Sequence, residues 1–128
     1  MPRVSLAFFT VGALCGITGM MWGMHMAASQ DITMMPAHAH LNLLGWVTLS
    51  LMGTFYALAG DRVSNLLAWA NFVLSTAGVL IAIPMLAQVL GGNEALGPSM
   101  IYPEVLLVAG MAAFILSILN VWRKPKAA

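Results

Sequence analysis

The sequence predicts an all-α membrane protein with four transmembrane helices. Only 7% of its 128 residues are charged and 61% are hydrophobic, whereas a soluble domain carries about a quarter charged residues. Four apolar stretches, near 5–27, 38–59, 64–89 and 102–122, each exceed the roughly 20 residues that cross a bilayer. The links between them are short, so 1–128 reads as one transmembrane domain.

The first stretch is longer than the about 7–15-residue core of a signal peptide and reads as a retained helix. Its Gly12, Gly16, Gly19 and Gly23 fall on one helical face, a seam that lets a neighbouring backbone approach closely. His25 lies past the seam among Met20, Met21, Met24 and Met26. Those methionines read as packing or lipid-facing residues, with a thioether ligand as the alternative. Cys15 is the single cysteine, which excludes an internal disulfide and a CxxC site.

Pro36 suits the first turn of the second helix, and Gly60 its C-cap. The third helix carries Asn71 and Ser75 for bonds across helices, and Pro84 predicts a kink near its far end. A turn-rich link through Gly91, Gly92, Asn93 and Gly97-Pro98 follows. Pro103 and Glu104 fit the first turn of the fourth helix, where a carboxylate suits the helix dipole. Trp22, Tyr102 and Trp122 are placed as interfacial anchors.

Charge orients the chain. Arg3, Arg62, Arg123, Lys124 and Lys126 share one side of a four-helix topology, and Asp31, Glu94 and Glu104 fall on the other. The positive-inside rule makes the basic side cytoplasmic, with both termini there and the histidines near the outer face. No basic patch is present to bind nucleic acid. No Ser-His-Asp set, phosphate loop or carboxylate pair is evident, so any chemistry falls to a metal or haem.

The stretch that calls for explanation is H-A-H-L-N-L-L-G-W, His38 to Trp46. Residues i and i+2 of an α-helix diverge by about 200°, so His38 and His40 face opposite sides of the second helix and serve two sites. On a regular helix the His38 face continues through Asn42, Gly45 and Leu49. Asn42 is placed to fix the imidazole tautomer, and Gly45 to leave a flat patch for a macrocycle or a helix. The His40 face continues through Leu43, Leu44, Val47 and Leu51, an apolar slot of the kind that takes a haem edge-on. The plainer reading has both histidines bonded to loop carbonyls at the interface.

The same stretch resembles a segment of the haem–copper oxidase catalytic subunit, the superfamily of cbb3-type oxidases and nitric oxide reductases. That subunit has twelve helices in three four-helix arcs, and an H-x-H pair on the second helix of the third arc ligates two haems on opposite sides. The resemblance implies that this chain is one arc, that three copies form a homotrimer, and that it resides in a bacterial inner membrane. It implies one haem b per interface, with His38 of one protomer and His40 of the next as axial ligands to the iron. Such ligation implies electron transfer to a partner that the sequence does not name, rather than oxygen chemistry. The copper site of the family has no counterpart: the chain has no His-His pair, and its last two helices have no histidine.

Three readings stay open at this level. One is the haem-binding electron-transfer protein. Another is a copper or other divalent-metal site using His25, His38 or His40 with nearby methionines. The last is a structural or assembly subunit with no cofactor. A dimer through the glycine seam is the alternative to the trimer.

Overall fold

The computed structural model describes residues 1–124. Lys126, one of the basic residues that orient the chain, lies outside the described residues. The described chain is helical with no strand, and four helices are long and apolar enough to cross a membrane. Helix α1 is Arg3–Ser29. Helix α2 is one rod of three runs: Met35–His40, a π-helical Leu41–Thr48, and Leu49–Ala59. Helix α3 is Asn65–Leu90 and α4 is Ile101–Arg123. The four predicted spans match these helices to within a few residues.

Local chemistry sets the boundaries. Pro36 sits in the first turn of α2, where its missing N–H costs nothing. Gly60 ends α2 at φ 55°, a conformation that glycine adopts without strain. Glu104 lies in the first turn of α4. The turn-rich link is more ordered than its glycines predict: Glu94–Met100 winds as a 3-10 helix before α4. Helix α3 runs unbroken through Pro84.

The chain packs as two antiparallel hairpins, α1 with α2 and α3 with α4. Glycine makes both close approaches possible. Along α1, a Cβ built at Gly12, Gly16, Gly19 or Gly23 would strike Ser50, Trp46, Asn42 or His38 in turn. The predicted seam is therefore filled from within the chain, by the 38-42-46-50 stripe of α2. A dimer through that seam would have to displace α2. In the second hairpin, Gly78 receives Leu107, and Gly110 receives Ser75.

One end of the bundle holds the aromatic core. Phe8 stacks on Tyr56 with ring centroids 5.6 Å apart and meets Phe72 edge-on at 5.1 Å; Phe55 meets Phe114 edge-on at 5.1 Å. These contacts join all four helices. Beside them runs a buried chain of hydrogen bonds. Ser75 Oγ donates to Asn71 Oδ1 at 2.9 Å, Asn71 Nδ2 to the Tyr56 hydroxyl at 2.9 Å, Tyr56 to Ser117 Oγ at 3.0 Å, and Ser117 to the Ala113 carbonyl at 2.9 Å. Asn71 thus bonds across helices as predicted, whereas the Ser75 bond to Asn71 stays within α3 and its contact across helices is with the Met52 sulfur at 3.9 Å; the Asn71–Tyr56 and Tyr56–Ser117 bonds pin α2, α3 and α4 together. Toward the histidine end, cavities open along the boundary between the two hairpins.

Candidate functional site

The π-helical run sets the geometry of the histidines. A π-helix bonds i to i+5 and so carries more residues per turn than an α-helix. Thr48 marks it, donating its hydroxyl to the Leu43 carbonyl five residues back at 2.7 Å. Over Leu41–Thr48 this cancels the drift that an α-helix accumulates at four-residue steps. His38, Asn42, Trp46 and Ser50 therefore all meet α1. His40, Leu44, Thr48 and Met52 line the cleft toward α3 and α4. Leu43, Val47 and Leu51 are exposed between these two flanks.

The divergence of the two histidines holds, but the faces beneath them differ from those of a regular helix. Trp46, not Gly45, continues the His38 stripe. Gly45 is buried, and a Cβ there would lie 2.8 Å from Cys15 Cβ and 2.9 Å from its sulfur. It offers α1 a place to pack, and no flat patch for a macrocycle remains. Leu49 is fully buried in the core.

His40 is exposed at the mouth of the cleft. Its Nδ1 lies 2.7 Å from the Pro36 carbonyl. A carbonyl only accepts, so Nδ1 carries the proton and the neutral ring keeps its lone pair on Nε2. That is the arrangement in which a backbone carbonyl fixes the tautomer of a metal-binding histidine. The sequence missed Pro36 in this role, although the i, i+4 spacing of Pro36 and His40 is its signal.

Below His40 the cleft runs toward the middle of the bundle. A cavity of about 320 Å³ is walled by Leu44 on α2, Ile83 and Leu86 on α3, and Leu107 on α4. A second, of about 190 Å³, continues it past Thr48, Met52 and Met111. Leu44 and Leu107 line both. Glu104 stands at the first mouth, in the same cavity wall as His40; the sequence placed it only as a helix-start residue.

His38 is half-buried and lines a separate cavity of about 250 Å³ against the end of α1, with Gly23, Met26, Gln30 and Met35. Asn42 Nδ2 lies 3.4 Å from both ring nitrogens of His38, so it is in line with neither lone pair, and it donates to the His38 carbonyl at 3.0 Å. Asn42 therefore positions the ring from below without selecting its tautomer.

His25 is exposed near the end of α1. It does not join the other two histidines: among the described residues no group of three or more His, Cys, Asp or Glu side chains is placed to hold a metal ion. Its electrostatic partner is Asp31. The carboxyl of Asp31 is held below its usual range, first by the Thr33 hydroxyl and backbone N–H and least by the His25 imidazole. Trp22, expected as an interfacial anchor, is half-buried in a cavity wall, whereas Tyr102 and Trp122 are exposed.

The site thus has two imidazoles on opposite flanks of one helix, each above or beside a cavity, and each with a nitrogen free of any in-line bond. No family model, no curated protein and no solved structure matches the chain.

Proposed function

We propose that the chain is a haem-b-binding membrane protein that transfers electrons. One observation carries this reading: His40 is locked by the Pro36 carbonyl with Nε2 left free, above a cleft between α2, α3 and α4 whose walls are apolar below the Glu104 carboxyl at its mouth. The donor set fits haem, whose iron takes imidazole and whose macrocycle takes apolar walls. Bound there, the haem supplies one-electron chemistry.

The chain's own residues do the rest. Pro36 holds the His40 tautomer. Leu44, Ile83 and Leu107 exclude water from the cleft. His38 lies on the opposite flank of α2, so the two imidazoles of one chain do not share a ligand. A head-to-tail interface would bring His38 of one protomer to the His40 cleft of the next, and such an interface forms a ring where its rotation closes. A trimer of four-helix arcs, as the resemblance implies, is the ring proposed.

The test is a reduced-minus-oxidised absorption spectrum of detergent-purified protein from haem-supplied cells, with metal analysis on the same sample. A Soret band with sharp α and β bands supports the proposal; a colourless protein refutes it.

A specific observation favours copper as the second reading. The cavity beside His38 places two thioethers, Met26 and Met35, in one wall with the imidazole, and thioethers select Cu(I). Copper in the metal analysis without a Soret band is the outcome for that reading.

A further inference from the structure

One cavity is lined by none of the histidines. It is a slot of about 410 Å³ between α1 and α3, floored by Leu41 of α2. It extends along α1 from Val11 to Trp22, and Leu14 and Leu80 at its rim are 60% and 57% exposed. We infer that this slot binds one acyl chain of a membrane phospholipid. The proposal is independent of the haem reading.

Polarity and shape support it. The slot offers no free hydroxyl: the only one in its wall, on Thr18, already donates to the Leu14 carbonyl at 2.8 Å. The Cys15 thiol in the same wall packs on Gly45. Water needs about two to four polar partners to occupy a cavity, and an empty slot forfeits contacts on every wall. Hydrocarbon is the remaining filler.

The shape narrows the choice. Val11 to Trp22 spans roughly 16 Å at about 1.5 Å per residue. A volume of about 410 Å³ over that height gives a mean section of about 25 Å², of the order of the girth of a single extended hydrocarbon chain. The half-buried Trp22 indole walls the slot at its histidine-side end.

The experiment is native mass spectrometry of the full chain released from membranes in mild detergent, counting retained phospholipid. The wild type is expected to keep one phospholipid per chain. Thr18→Phe and Leu80→Trp, two substitutions at exposed rim positions, fill the slot and are expected to keep none. Leu58→Trp, at a residue 78% exposed outside the slot, is expected to keep one. A wild type without lipid, filled variants that retain it, or a Leu58→Trp variant that loses it would each overturn the proposal. Haem content read on the same samples keeps this outcome separate from that of the electron-transfer reading.

Discussion

His40 and His38 differ in how they are held, and their variants should differ accordingly. On the proposed ligation, removing His40 takes away the ligand whose tautomer is fixed, so His40→Ala is expected to lose most of its haem. Removing His38 leaves the neighbour's His40 in place, so His38→Ala is expected to convert low-spin six-coordinate haem to a five-coordinate high-spin form. Electron paramagnetic resonance of the two purified variants distinguishes these states, and an unchanged wild-type signal in either would contradict the cross-protomer arrangement. Gly45 belongs to a different class of residue. A methyl group there collides with Cys15, and overpacking a close contact costs about 1–3 kcal/mol. Gly45→Ala should therefore lower thermal stability in detergent, and Cys15→Ala should restore it only in part, because Cys15 Cβ itself lies 2.8 Å from the added carbon.

At the scale of the helices, the π-helical run of α2 is the device that aligns the rest. It keeps His38, Asn42, Trp46 and Ser50 on the glycine seam while His40, Leu44, Thr48 and Met52 follow the cleft. Deleting Val47 would remove the extra residue that the run accommodates, so that i to i+4 bonding returns while Leu49–Ala59 stays within about 20° of its present face. Tyr56 would then keep its bonds to Asn71 and Ser117. The deletion is expected to lower the unfolding temperature no more than Tyr56→Phe, which removes those bonds and should cost about 1 kcal/mol. A far larger loss on deletion would mean that the π run does not maintain the register of α2 by one extra residue. The cleft has its own test: Leu44→Trp should cut haem content while the chain still inserts, because Leu44 lines both of its cavities.

These helices were also where sequence reasoning reached its limit. Span positions, Pro36, Gly60 and Glu104 were legible because hydropathy and helix-end chemistry act locally. The opposite directions of His38 and His40 were legible because two residues turn through nearly the same large angle on any regular helix. The faces further along were not. An unwound turn shifts every later residue, and nothing in L-N-L-L-G-W-V-T announces i to i+5 bonding. Gly45 and Trp46 exchanged places for that reason. The glycine seam was visible, but its occupant was not, because glycine spacing says how close a partner comes and not which helix it is.

At the scale of the whole molecule, the two ends have different tasks. The aromatic cluster and the Ser75–Asn71–Tyr56–Ser117 chain of bonds join the helices at one end. The histidine end keeps cavities along the boundary between hairpins, where the proposed haem would sit. The basic residues Arg3, Arg62, Arg123 and Lys124 gather at the end away from the histidines. A single chain presents its two imidazoles to different spaces, so the proposed site is complete only between chains.

That requirement permits a direct complementation measurement. Chains carrying His38→Ala and chains carrying His40→Ala are co-expressed in haem-supplied cells, co-purified through two different tags, and examined by reduced-minus-oxidised absorption spectroscopy. Where a His38→Ala chain offers its His40 to a neighbouring His40→Ala chain that offers its His38, one interface regains both imidazoles. The account predicts that low-spin six-coordinate haem, absent from each variant alone, returns in the mixed assembly. A mixed assembly that shows no such haem, while wild-type chains do, would contradict ligation between protomers.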